Sequence, residues 1–344
     1  MKNIRSIPKE ELVKFLESCN EKSFRSNQIS EWLWKYRASS FDEMTNISND
    51  LRKALKDEFF IDAATADSFQ DSSDGTIKVL FRLVDNLFIE GVIIPSETRV
   101  TACISSQVGC ALGCKFCATG HWGFKRDLTF GEIYDQAFLL NKLSLEKFKL
   151  PLSNIVMMGM GEPLLNYENV MEGIRLITSE KGMGWAKHRI TLSTAGIPEK
   201  IKQMADDGCK INLAISLHSA KMATRNELLP ISKKYPLEML SDALRYYTNK
   251  TKLKITIEYL LLNGINDSAE DANELVRFCS VFASKINLIE YNPVPELAFQ
   301  KSTPENTALF LKTLQAKHII SKIRKSRGKD IDAACGQLAN KIKK

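Results

Sequence analysis

No apolar run in this chain of 344 residues approaches the length of a membrane span. Its opening, Met1-Lys-Asn-Ile-Arg-Ser-Ile-Pro8, also lacks the apolar core of a secretory leader. The expectation is a cytoplasmic protein with no membrane partner. Cysteine is scarce as well: eight residues are too few to staple a chain of this length as a disulfide scaffold. In a reducing compartment, cysteines that cluster read instead as ligands or catalysts. Acidic residues are thin at the C-terminal end. There Lys317, Lys322, Arg324, Lys325, Arg327 and Lys329, then Lys341, Lys343 and Lys344, follow one another in a chain of net charge +7. A polyanion such as RNA suits that run, and a solvated face is the alternative. What remains is an ordinary globular composition, 44% hydrophobic and 26% charged, long enough for one large domain and a smaller one.

Residues 1–57 read as short helices forming an accessory domain that docks RNA. Leu12, Phe15 and Leu16 make one apolar stripe, Ile29, Trp32, Leu33 and Trp34 a second, and Leu51, Leu55 and Phe59 a third. Arg25, Lys35, Arg37 and Arg52 are the candidates for facing nucleic acid. Within 58–97 the period changes, and β-rich runs over 78–84 and 87–94 meet at Asp85-Asn86, which predicts a hairpin extension. Glu90 interrupts the second run, so it lies either on the solvent face or in a site. Over 98–300 a strand, loop and helix pattern repeats, with candidate strands at 100–105, 155–158, 189–193, 211–216, 254–260 and 286–291. A capping box, Thr129-Phe-Gly-Glu132, opens one helix, while Pro198 opens and Gly208 closes another. This alternation predicts an α/β fold with parallel strands and right-handed crossovers. Six units are too few for a closed eight-unit barrel, so the expectation is a partial (βα)6 barrel with a lateral mouth. Residues 301–344 form a C-terminal segment.

Chemistry enters at Gly109-Cys110-Ala-Leu-Gly-Cys114-Lys-Phe-Cys117, three cysteines at C-x3-C-x2-C spacing with no fourth nearby. Three thiolates can hold three irons of a [4Fe–4S] cluster and leave the fourth open to a substrate. The alternative is a zinc knuckle of Cys110, Cys114, Cys117 and His121 in a passive RNA-binding protein. Phe116 stands either beside a cofactor or in ordinary packing. The loop follows the first candidate strand, at the rim where barrel sites gather. Other strand ends are polar or Gly-rich: Met157-Met-Gly-Met-Gly161-Glu162-Pro163, Ser193, Ser216-Leu217-His218 and Asn292. Glycines there let the backbone approach a ligand, and Glu162 can accept from an ammonium group. Each alone could be a cap or turn; at one rim together they predict a cofactor pocket. Cys19, Cys209 and Cys279 sit in apolar periodic segments and read as core. Position alone gives Cys103 and Cys335 no role.

The cysteine run resembles the signature of radical S-adenosylmethionine (SAM) enzymes. Together with Cys103-Ile-Ser-Ser-Gln-Val-Gly, Met-Gly-Met-Gly-Glu-Pro, Ser-Leu-His-Ser and Asp332-Ala-Ala-Cys335-Gly-Gln-Leu, it resembles the RlmN/Cfr family of RNA methyltransferases over nearly the whole chain. That resemblance implies a [4Fe–4S] cluster on Cys110, Cys114 and Cys117, and SAM held by Gly161, Glu162, Ser193, Ser216, Leu217, His218 and Asn292. It implies two SAM per turnover, one methylating Cys335 and the other yielding the radical that activates the S-methyl group. Cys335 then carries the methyl to the base, Cys103 resolves the adduct through a transient disulfide, and Glu90 accepts the proton. The implied substrates are an adenosine of 23S rRNA in the peptidyl-transferase centre, methylated at C2, and the adenosine beside the anticodon in tRNA. A one-electron donor such as flavodoxin and a monomeric state follow from the same resemblance. Pro163 favours C2 over C8 methylation, since C8-specific relatives typically carry Ala there.

Overall fold

The computed structural model describes residues 1–295 and 297–339; Lys341, Lys343 and Lys344 of the basic run lie outside the described residues. Strand β1 (Lys2–Asn3) leads into helices α1 (Lys9–Ser18), α2 (Arg25–Trp34) and α3 (Asn49–Glu58). Their helical spacing brings Leu12, Leu16, Ile29, Leu33, Leu51 and Leu55 into one buried cluster. Strand β2 (Phe59–Phe60) returns to pair with β1. Next come β3 (Thr65–Asp71), β4 (Ile77–Arg82) and β5 (Phe88–Pro95), antiparallel throughout. The expected hairpin is thus a three-stranded meander. All seven residues of β3 are exposed, so it carries no alternation that a sequence pattern could reveal.

The chain then runs through β6 (Val100–Cys103), β7 (Gln107–Gly109), α4 (Ala118–Trp122), β8 (Phe124–Asp127) and α5 (Phe130–Phe148). It continues with β9 (Asn154–Met157), α6 (Tyr167–Thr178), β10 (Ile190–Thr194), α7 (Pro198–Asp206), β11 (Asn212–Ser216), α8 (Met222–Leu228) and α9 (Leu237–Thr251). Last are β12 (Ile255–Leu261), α10 (Ala269–Cys279), β13 (Ser284–Glu290), α11 (Pro304–Ala316) and β14 (Ser321–Arg324). Strands β6, β9, β10, β11, β12 and β13 lie side by side in that order, all parallel, which is the expected six-unit half-barrel. Burial on both faces explains why β12 reads as seven consecutive buried residues. The meander extends one side through the antiparallel pair β5–β6, and β14 adds a further parallel strand beside β13. The C-terminal segment therefore contributes to the sheet. Helix α5 opens on the capping box: Thr129 Oγ1 accepts from Glu132 N, and Glu132 Oε2 accepts from Thr129 N at 2.9 Å.

Asp135 of α5 ties the N-terminal helices to the barrel. Arg5 grips its carboxylate with two hydrogen bonds of 2.8 Å, Arg37 Nε adds one at 3.0 Å, and Ala64 N donates at 2.9 Å. Arg37 therefore points inward, which corrects its place among the candidate RNA-facing residues. Burial alone would raise the Asp135 carboxyl, but the two guanidinium groups hold it below its ordinary range. A depressed folded-state value means that this stabilisation is present above the ordinary carboxylate range and lost as pH falls through it. Asp135→Ala would leave the Arg5 side chain, 2% exposed, without its anion. The expected loss is about 3–5 kcal/mol, read from denaturant midpoints, and it should shrink as the wild type is taken into acid.

Candidate active site

The cysteine loop hangs between two short strands. β7 and β8 pair antiparallel, and Cys110 N donates to Gly123 O at 3.0 Å to close the neck. Gly109, at φ +79°, is needed there because a Cβ would lie 1.8 Å from the Gly123 carbonyl oxygen. Beyond the neck, Lys115 N donates to Leu228 O at 3.0 Å, which fastens the loop to α8. Cys117 then caps α4. Two bonds from α4 reach the C-terminal segment: Ala118 N to Gly336 O at 2.8 Å and Thr119 Oγ1 to Leu338 O at 2.6 Å. These bonds carry Cys335 to the mouth of the cysteine loop, more than two hundred residues away in sequence.

A single cavity is lined by Cys110, Cys114, Cys117, Cys103, Cys335, Gly161, Glu162, Ser193, Ser216 and His218. Leu217, Asn292 and Glu90 are buried but not on its lining. All eight cysteines are free thiols. Glu90 is 4% exposed, so the solvent-face alternative is excluded. Its Oε2 accepts from Ala339 N at 2.9 Å, and Lys78 Nζ lies 3.5 Å from Oε1. Cys103 is buried on β6, and burial pushes its thiol up to about 12. The neighbouring Cys335 adds to that rise, while Arg324 opposes it.

Whether these residues fit a SAM-bearing cluster can be asked of their polar atoms. Three thiols face one cavity. Burial pushes the Cys110 thiol up to about 12 and raises Cys114 as well, so iron ligation would have to supply the charge that holds them as thiolates. His121, the fourth ligand of the zinc alternative, is exposed and turns Nε2 to Lys115 O at 3.3 Å. Among the described residues no three His, Cys, Asp or Glu side chains are grouped as ligands of one ion. Glu162 is 2% exposed; its Oε1 accepts from Leu164 N at 3.0 Å and its Oε2 from Ala195 N at 2.8 Å. Burial raises the Glu162 carboxyl against those two donors, and no cation among the described residues pairs with it. An ammonium group would complete it. Asn292 gives Nδ2 to Cys335 O at 3.3 Å, and its buried Oδ1 has no partner, the mark of a missing donor. Gly161, at φ +100°, lies against Gln107, where a Cβ would meet the Gln107 Cβ at 2.6 Å. The residues fit.

His218 is neutral: burial, then the Arg225 charge, push it down to about 3. Its Nδ1 accepts from Leu260 N at 3.0 Å, so the proton sits on Nε2. The imidazole meets Phe116 edge-on, with ring centroids 4.7 Å apart. Ser193 and Ser216 face each other across β10 and β11, Oγ to Oγ 3.4 Å. Sequence reasoning passed over Arg324, which read as part of a basic tail. It lines the cavity instead, its guanidinium 3.7 Å from Glu258 Oε2 and 3.3 Å from Met158 Sδ. Cys335, before Glu258, favours its cationic form. No local pattern separates it from its neighbours Lys322 and Lys325.

A three-cysteine loop beyond the first strand of a six-unit parallel half-barrel, opening on a cavity lined by polar strand ends, is the arrangement of a radical SAM enzyme. Residues 104–279 match the radical SAM superfamily, and residues 2–61 match the ribosomal RNA large subunit methyltransferase N-terminal domain. A crystal structure of a radical SAM methyltransferase from Sphaerobacter thermophilus superposes with TM-score 0.91 at 38% identity, covering 98% of this chain and 99% of that one. The probable dual-specificity RNA methyltransferase RlmN of Flavobacterium psychrophilum is 52% identical over 99% of this chain and 98% of its own. The dual-specificity RNA methyltransferase RlmN of Syntrophus aciditrophicus is 45% identical over 98% and 97%. The chain belongs to the RlmN family of radical SAM methyltransferases, and its cofactors are a [4Fe–4S] cluster and SAM. No helix among the described residues is long and apolar enough to cross a membrane.

Proposed function

We propose that this enzyme methylates C2 of an adenosine in 23S rRNA and of the adenosine beside the anticodon in tRNA, using Cys335 as the methyl carrier. The carrying observation is the shared cavity: Cys335 and Cys103 line the same walls as the three cysteines of the cluster loop. C2 is an amidine carbon and a poor nucleophile, so transfer of a methyl cation straight from SAM would fail. The cluster and SAM supply, when bound, the hydrogen-abstracting radical. Everything else falls to side chains. Cys110, Cys114 and Cys117 would hold the cluster. Gly161, Glu162, Ser193, Ser216, Leu217, His218 and Asn292 would hold SAM, with Glu162 on its ammonium group. Cys335 accepts the methyl through its sulfur, on the cavity wall it shares with Arg324. Glu90 takes the C2 proton, and Cys103 displaces the product by closing a transient disulfide with Cys335.

The substrate base must be unstacked and turned inward. Trp122 and Phe124, 45% and 44% exposed beside the cysteine loop, offer faces for bases, with Lys125 between Phe124 and Arg126. The N-terminal helices would add docking surface, Arg25, Lys35 and Arg52 remaining the candidate contacts. A flavodoxin-like donor would supply the electron to a monomeric, cytoplasmic enzyme whose surroundings reopen the disulfide. The test is anaerobic: intact mass and peptide mapping should find one methyl on Cys335, absent when Cys110, Cys114 and Cys117 are replaced by Ala. Digested product RNA should yield 2-methyladenosine. 8-Methyladenosine would move the assignment to the C8 branch, and an unmodified Cys335 in cluster-loaded, SAM-treated protein would sink the carrier role.

A further inference from the structure

Arg225 of α8 is 1% exposed, one of the largest fully buried side chains in the molecule. Its guanidinium donates only to carbonyls: Nη2 to Ala195 O at 2.7 Å, Nη1 to Ser216 O at 3.2 Å, and Nη1 again to Leu217 O. Nε has no partner, and no carboxylate among the described residues forms an ion pair with it. A buried cation without an anion is a costly arrangement. Arg5, the other deeply buried arginine, shows the ordinary remedy in Asp135. Cys114 of the cysteine loop is the ligand that lies on the Arg225 side of the site. The geometry places the two together, since α8 holds the cysteine loop through Leu228 O and Lys115 N, and Cys114 packs against the cluster of Leu112, Ala195, Leu228 and Leu229.

We propose that the counter-ion of Arg225 is the cysteine-ligated cluster itself, and that Arg225 is a positioning residue joining cluster occupancy to the shape of the SAM pocket. A [4Fe–4S] core on three thiolates is net anionic, and more so once reduced. A fixed cation beside it stabilises the reduced form most and raises the potential. The same guanidinium clamps the carbonyl ends of β10 and β11. Ala195, whose N–H holds Glu162, Ser216 and Leu217 hang from it directly, and His218 follows in sequence. Without the cluster the cation has no anion among the described residues; cluster assembly supplies the charge that balances it. The inference rests on the cluster and on no particular RNA.

The test uses full-length protein, reconstituted anaerobically and without RNA. Arg225→Gln keeps N–H donors but loses the charge, and Arg225→Lys keeps the charge but loses the fork. Spectroelectrochemical titration should show a more negative cluster midpoint in Arg225→Gln and a value near wild type in Arg225→Lys. Cluster loading should raise the melting temperature of the wild type more than that of Arg225→Gln, a difference that a merely structural carbonyl anchor would not produce. A wild-type midpoint and an equal thermal gain in Arg225→Gln overturn the proposal. Hydrogen exchange on the wild type needs no variant. Loading should slow exchange at residues 193–196 and 216–218 as well as in the cysteine loop, and protection confined to 109–118 would also overturn it. Failure of either arm leaves the RNA assignment untouched, because no arm reads methylated nucleoside.

Discussion

Cys103→Ala is expected to leave the enzyme covalently joined to its RNA. Once the methylene on the Cys335 sulfur has bonded to C2, the base is released only when the carbon–sulfur bond breaks. A thiolate at Cys103 would attack the Cys335 sulfur, forming the disulfide while the C–S electron pair passes to the methylene carbon bonded to C2, which takes up a proton as the new methyl. Alanine cannot do this, and water is a poor nucleophile toward a thioether sulfur. Position supports the role: Cys103 ends β6, on the wall it shares with Cys335 and Arg324. Its thiol, pushed up to about 12 by burial, is inert at rest and spared from oxidation. Arg324 is the cation that opposes this rise and so favours the attacking thiolate. Labelled RNA should migrate with the variant on a denaturing gel, and nuclease digestion should leave a nucleotide mass on the Cys335 peptide. Methylation of Cys335 before RNA is added should proceed as in the wild type, and Cys103→Ala/Cys335→Ala should show no adduct. Free methylated RNA at the wild-type rate from Cys103→Ala would remove Cys103 from the mechanism.

What the sequence discloses and what it hides divide along physical lines. Repeating units are legible because the parallel strands are apolar, β12 being buried on both faces, and because some crossover helices start on a local signal, the capping box at Thr129-Glu132 and the proline at Pro198. The cysteine loop is legible because ligand spacing is local. Long-range partners are not. Arg37 reads as a surface base until Asp135, 98 residues on, is seen beside it. Arg324 stands in a basic run, and the strand pairing of β14 with β13 carries it, with Lys325 and Arg327 after it, to the cavity wall. Arg225 sits in a helix of seven residues with no signal that its guanidinium is sealed inside. β3 leaves no trace because a fully exposed edge strand needs no apolar face. The proposed role of Cys335 comes from family resemblance, and the hydrogen bonds from α4 to the Gly336 and Leu338 carbonyls are the physical reason a C-terminal cysteine reaches the cysteine loop.

Glu90→Gln should separate the two halves of the reaction. Methyl transfer from SAM to Cys335 requires no base at Glu90, whereas rearomatising the adenine requires the C2 proton to leave. The carboxylate is buried on β5, ringed by the Lys78 ammonium 3.5 Å away and the Ala339 N–H at 2.9 Å. The second bond places Glu90 against the segment that carries Cys335, four residues before Ala339. Glutamine can still accept from Ala339 but cannot take a proton, and it leaves Lys78 without its anion. Loss of a positioned base typically costs about 10²–10⁴-fold in rate. The expected result is a methylated Cys335 peptide at wild-type level together with 2-methyladenosine formation reduced by about that factor. Retention of the first reaction shows that the variant is folded and holds its cluster, despite the stranded Lys78. Equal slowing of both reactions would instead assign Glu90 a supporting role, as the anchor of Ala339 and the C-terminal segment.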